Sequence, residues 1–196
     1  MSWGKNINAL ILAGGESLRM GMDKGELVYH QKAQKYHLAD MLIAMGLPTY
    51  ISIKKTIVQS NDYHYVVDKI EDIGPMAGIH AAFTTFNTAW LVLACDYPLL
   101  TNHHLETLLK HRDKSKVATL FYDEMSNQII PTLAIYEPKF FQLLSKAIAQ
   151  KNYGIQYLLR QHDIALVSVQ GEELRSIDTQ ADCAQIKKII NGKSIH

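Results

Sequence analysis

The sequence predicts an α/β protein: a three-layer Rossmann-like sandwich with a mostly parallel sheet and an antiparallel element in its second half. Two observations predict it. Apolar runs of strand length alternate with helical stretches through the first half, which favours a parallel sheet covered on both faces. Strand-like runs then crowd together between residues 117 and 136, and this denser spacing brings in the antiparallel element. The chain has 196 residues with no repeat, low-complexity stretch or linker, so a single domain spanning 1–196 is expected.

The elements follow in order. Residues 8–13 are a short apolar run ending at Gly14-Gly15, as a buried strand feeding a loop does. Residues 32–46 carry Leu38, Met41, Leu42, Ala44 and Met45 before Gly46 and read as an amphipathic helix. Residues 50–53 and 65–68 read as the second and third strands. Gly74-Pro75-Met76-Ala77-Gly78 is a turn opening a helix that runs to Phe86, and 90–96 is the clearest buried strand. Thr101 is a natural N-cap for the next helix. Residues 117–121 and 132–136 look like strands, 138–150 and 154–162 like helices, 164–169 like a late strand and 179–190 like a C-terminal helix, with a polar, frayed tail over 191–196.

Composition narrows the function classes. At 47% hydrophobic and 20% charged, the chain has an ordinary globular composition. Its formal net charge of +1 makes no electrostatic case for nucleic acid or a membrane surface. Cys95 and Cys183 form no CxxC pair, which argues against a zinc site or a disulfide framework. The N-terminus lacks a signal-peptide pattern, and no apolar stretch is long enough to span a bilayer, so a cytoplasmic protein is expected.

Ligands of open α/β sheets sit beyond the carboxyl ends of the strands. Three polar features fall there: the Gly14-Gly15 loop, Asp68 and Asp96. Two glycines after a strand let backbone N–H groups approach an anion. Arg19 and Lys24 add a planar fork and a mobile point charge within one short segment, a set that suits a triphosphate better than a dinucleotide. The segment is neither a Walker loop, G-x-x-x-x-G-K-[ST], nor a G-x-G-x-x-G dinucleotide fingerprint. Asp96 ends a wholly apolar strand and could hold Mg²⁺, or could cap the helix that starts near Thr101. Asp68 could contact a base or ribose, or serve a turn. Gly78 could admit a ligand close to the backbone, or close a helix against the sheet. The histidines form no metal cluster and read as surface or capping residues, and Cys95 reads as a small core residue.

Leu12-Ala13-Gly14-Gly15-x-Ser17-x-Arg19-Met20-Gly21-x-Asp23-Lys24 resembles the signature loop of the molybdenum cofactor guanylyltransferases, the MobA family. Gly74-Pro75-Met76-Ala77-Gly78 resembles that family's G-P-L-A-G, Cys95-Asp96-Tyr97-Pro98 its C-D-x-P, Pro131-Thr132 its later P-T pair, and Ile177-Asp178-Thr179 its closing N-x-N-T segment. The resemblance implies attack of the molybdopterin (or Mo-molybdopterin) phosphate on the α-phosphorus of GTP, with Mg²⁺ as cofactor. Leu12, Ala13, Gly14 and Gly15 would line the guanine and phosphate site. Lys24 would bind phosphate, and Arg19 would stabilise the developing charge and the leaving pyrophosphate. Ser52, Asp68 and Gly78 would face the nucleotide, Asp96 would ligate Mg²⁺, and Asp178 would lie toward the acceptor. Molybdoenzymes or other cofactor-biosynthesis proteins are the implied partners.

The chain departs from the family pattern at two places. It reads Tyr29-His30-Gln31-Lys32-Ala33-Gln34 where the family has a G-K-P turn, and Ser176 and Asp178 where the family often has asparagines. Cytidylyl relatives carry A-A-G in the loop and Pro before the lysine, so Ala13-Gly14-Gly15 and Asp23-Lys24 favour guanine over cytosine. The alternatives are cytidylyl transfer, transfer to another acceptor, and a nucleotide-binding module without catalysis.

Overall fold

The computed structural model describes residues 6–13, 16–17, 22–54, 60–170, 174–177 and 179–193. The first apolar run folds as β1 (Ile7–Leu12). A small antiparallel ribbon follows, β2 (Glu16–Ser17) against β3 (Met22–Asp23), and then a 3-10 turn over Lys24–Glu26. The ribbon has no sequence signal, because two residues are too few to set a period. Next come α1 (Gln34–Ala44), β4 (Thr49–Ile53), β5 (His64–Val67), α2 (Pro75–Thr85), β6 (Ala89–Ala94) and α3 (Asn102–Lys110). The second half adds β7 (Ala118–Asp123), β8 (Gln128–Tyr136), α4 (Phe140–Ala149), α5 (Ile155–Arg160), β9 (Ile164–Val169) and α6 (Gln180–Lys193).

Several boundaries differ from expectation, most at α1, β8 and α6. α1 is shorter than 32–46: it starts after an isolated Val28–Ala33 bridge and ends before Gly46, which takes the left-handed φ of 79° that commonly ends helices. β8 begins four residues before Thr132, because Pro131 does not break it. The ladder to β7 jumps from Leu120↔Ala134 to Phe121↔Ile130, so Pro131 sits in a bulge where no donor is missed. α6 continues past residue 190 to Lys193, into the stretch expected to fray.

Seven strands form one sheet in the order β5-β4-β1-β6-β8-β7-β9. β8 runs antiparallel to β6 and β7, while the β1–β4, β1–β6, β4–β5 and β7–β9 pairs are parallel. The antiparallel element therefore enters where the dense spacing placed it. Alternation across the strands explains the continuous apolar runs. Ala9, Ile11, Leu91 and Leu93 face a core shared with Leu38 and Leu42 of α1 and Leu105 and Leu108 of α3. Leu10, Trp90 and Val92 face the opposite core, shared with Met76, Ile79 and Phe83 of α2, Phe140 and Leu144 of α4, and Leu158 and Leu159 of α5. These two cores make the three layers. A third, smaller cluster joins Ile186 of α6 to Leu27, Tyr29 and Ile177.

Candidate active site

The strand order reverses at β1, which has β4 on one side and β6 on the other. Such a reversal leaves a crevice at the carboxyl edge, since the flanking connections leave in opposite directions. Register puts Leu12 of β1 between Ser52 of β4 and Ala94 of β6. The Ala13 N–H donates to the Ser52 carbonyl at 3.3 Å, and the Asp68 N–H to the Ile53 carbonyl at 3.0 Å, carrying the chain just past the strand ends.

On the β4 side the structure brings Leu12, Ser52, Asp68 and Gly78 together. The buried Ser52 hydroxyl donates to Asp68 Oδ1 at 2.7 Å. Burial raises the Asp68 carboxyl above its ordinary pKa, against the opposing pull of the Ser52 hydroxyl and Lys54. Gly74 enters α2 at φ 58°, a left-handed conformation open to glycine. Gly78, one turn on, presses on the strand ends: a Cβ there would lie 2.4 Å from Ser52 Oγ and 2.7 Å from Leu12 Cδ2. Its close approach is thus to the protein's own strands, the second of the two roles its spacing allowed. Gly78→Ala should cost about 1–3 kcal/mol of stability through overpacking. Thermal unfolding checks this, and an unchanged Tm would mean that α2 can shift away from the sheet freely.

On the β6 side Asp96 lies two residues past the strand, half-buried, with its Oδ1 atom buried. It does not cap the next helix. The N-cap of α3 is Thr101, whose N–H donates to His104 Nδ1 at 3.1 Å, so His104 is a capping residue. Three consecutive residues hold three different neighbours. The Asp96 carbonyl accepts from the Ile177 N–H at 2.9 Å. The Tyr97 hydroxyl lies 3.3 Å from Thr132 Oγ1 on β8, and the Pro98 carbonyl accepts from His30 Nε2 at 3.0 Å. Tyr29 completes the surroundings. Burial, then a hydrogen bond with Cys183 and the charges of Cys183 and Asp96, raise its phenol well above the ordinary pKa. His30, Tyr29 and Cys183 are additions to the predicted set. Their separations in sequence gave no signal, although Thr132 belonged to a recognised pair.

Lys24 opens the 3-10 turn that leads from the ribbon toward α1. Gly14, Gly15, Arg19 and Asp178 lie outside the described residues. Among the described residues no three His, Cys, Asp or Glu side chains gather as a metal cage. One carboxylate at the edge of a strand-end crevice is a donor set that fits Mg²⁺, which keeps several waters and takes further ligands from substrate phosphates.

Known proteins place this arrangement. The model of the MobA-like NTP transferase domain matches residues 9–166. A protein of Flavobacterium johnsoniae named probable molybdenum cofactor guanylyltransferase is 27% identical over 175 residues, covering 86% of this chain and 88% of its own. One of the same name from Bacillus subtilis is 25% identical, covering 96% and 98%. The crystal structure of molybdopterin-guanine dinucleotide biosynthesis protein A from Archaeoglobus fulgidus shares the fold, with a TM-score of 0.78 at 24% identity over 94% of this chain and 99% of that one. The strand-end crevice, the order of the motifs and a match over most of the sheet agree: the chain belongs to the MobA-like NTP transferase domain family.

Proposed function

We propose that the chain transfers GMP from GTP to molybdopterin, in the cytoplasm and with Mg²⁺, forming molybdopterin guanine dinucleotide for molybdoenzymes. The observation that carries this reading is the placement of Asp96 and the Ser52–Asp68 pair on opposite sides of Leu12, at the strand-order reversal. A nucleotide laid across β1 would meet Ser52, Asp68 and the head of α2 with its nucleoside and Asp96 with its phosphates. A molybdopterin phosphate oxygen attacks the α-phosphorus, the bond to the α,β-bridging oxygen breaks, and pyrophosphate leaves. Bound Mg²⁺ would neutralise charge on the phosphates. Lys24 and Arg19 hold phosphate oxygens and the leaving pyrophosphate, and Asp178 lies toward the acceptor. Little proton transfer is needed, so positioning and charge neutralisation carry the rate. The names borne by the Flavobacterium and Bacillus relatives support the same donor and acceptor.

The test is pyrophosphate release with molybdopterin and Mg²⁺, supplied with GTP or with CTP. Turnover is expected with GTP. Turnover with CTP alone would make the chain a cytidylyltransferase, and binding of GTP without turnover would make it a non-catalytic nucleotide-binding module.

A further inference from the structure

Gln34 is the first residue of α1 and is 1% exposed, yet neither its Nε2 nor its Oε1 has a hydrogen-bond partner among the described residues. Buried amides in native proteins are nearly always paired, because leaving one unpaired forfeits its hydration for nothing. A buried amide that no described residue satisfies therefore calls for a partner from outside the chain.

Its position says which partner. β1 and β4 are parallel, so α1 runs back between them and its N-terminus lies at the carboxyl edge of the sheet. Side chains in a helix lean toward its N-terminus, so Gln34 leans toward that edge. The Gln34 N–H donates to the Leu27 carbonyl at 2.8 Å, and the adjacent buried Lys35 pairs with Glu26, which binds the head of α1 to the Lys24–Glu26 turn. This helix end also carries no side-chain cap and no acidic residue in its first turn, and its N-cap is Ala33. Alanine is among the poorest caps, and the one carboxylate brought to this helix end, Glu26, is held by Lys35.

We propose that Gln34 is a binding residue for the triphosphate of the nucleotide, an inference that rests on the nucleotidyl-transfer reading. The Nε2–H donates to a phosphate oxygen at the head of α1, and water carried in with the anion donates to Oε1. No group of the described residues satisfies the amide, whereas the complex would, so the same group destabilises one state and favours the other. Such opposition is the usual mark of a functional polar group in a core.

Gln34→Leu separates the effects, since leucine fills similar space and needs no partner. The variant should melt at a higher temperature than wild type when free of ligand. It should lose most of the thermal shift given by GTP or by inorganic triphosphate, and its KM for GTP should rise about tenfold. A higher Tm with undiminished shifts would mean an unpaired core amide without a ligand role, and would overturn the proposal. A lower Tm would mean that the amide is already satisfied in the free protein, and would overturn it as well. Gln34→Glu is the second variant: a carboxylate at the anion site should abolish the triphosphate shift, and retention of the shift would count against the site. Wild-type protein without any GTP shift would instead defeat the nucleotidyl-transfer reading itself.

Discussion

Asp96→Asn is expected to lower the rate of GMP transfer by about 10²–10³-fold, the cost of losing one well-placed electrostatic group, with little change in Tm. The amide keeps the shape of the carboxylate. It also leaves alone the backbone carbonyl that Ile177 holds and the neighbouring Tyr97 and Pro98 contacts, so the loop should stay in place. What disappears is the charge beside the phosphates. Because a lone carboxylate suits a cation held largely by substrate, the loss should show as weaker Mg²⁺ activation and lower kcat, with GTP affinity in the absence of metal little affected. Pyrophosphate release measured across a Mg²⁺ series decides the matter. A variant that turns over at the wild-type rate would remove Asp96 from the metal role.

Glu137→Ala should have the largest effect on stability, about 3–5 kcal/mol, because it strands a buried guanidinium. Arg112 Nε donates to Glu137 Oε1 at 2.6 Å and Nη2 to Oε2 at 2.9 Å, a bidentate pair with side chains only 11% and 6% exposed. Glu137 follows β8, whose end lies at the amino edge of the sheet, and its N–H reaches the Val117 carbonyl just before β7. The pair is thus at the opposite edge from the crevice. Urea unfolding should show the full loss while KM for GTP is unchanged in the folded fraction. Replacing both partners with apolar residues should recover most of the stability, since the desolvated charge is then gone. A loss below about 1 kcal/mol would show the pair behaving like an exposed one.

The sequence made the strands legible where burial on both faces demanded it. Residues 9–13 and 90–95 are apolar without alternation because the two cores claim side chains from both faces. Asp96 was legible as a site candidate for the same reason, being the polar residue at which such a run stops, whereas Asp68 follows the partly exposed edge strand β5 and stood out only by its place at a strand end. Whether Asp96 capped a helix was not legible. That depended on where α3 begins, and the Thr101–His104 contact assigns the cap elsewhere. The early start of β8 was hidden by Pro131, whose missing donor matters only if the ladder needs it there. Residues 124–127 form the hairpin turn between β7 and β8, in which Asp123 accepts from the Met125 N–H at 3.0 Å. The His30–Pro98 bond joins residues 68 apart, a separation at which no local pattern operates. Gln34 stood out in the sequence only as part of the departure at 29–34, because the lack of a protein partner for its amide is a property of its surroundings alone.

The reversed direction of β8 divides the crevice between two kinds of chain segment. β1, β4 and β6 deliver residues to the rim as they leave the sheet, whereas β8 delivers Thr132 on its way in, through a hairpin overhanging the same rim. A departing loop must also aim the next crossover helix, so its length is constrained. A hairpin between β7 and β8 has no such duty and can lengthen, shorten or change sequence while the nucleotide side keeps its form. The fold thereby joins a rim whose shape the crossovers constrain to a lip whose length the sheet leaves free.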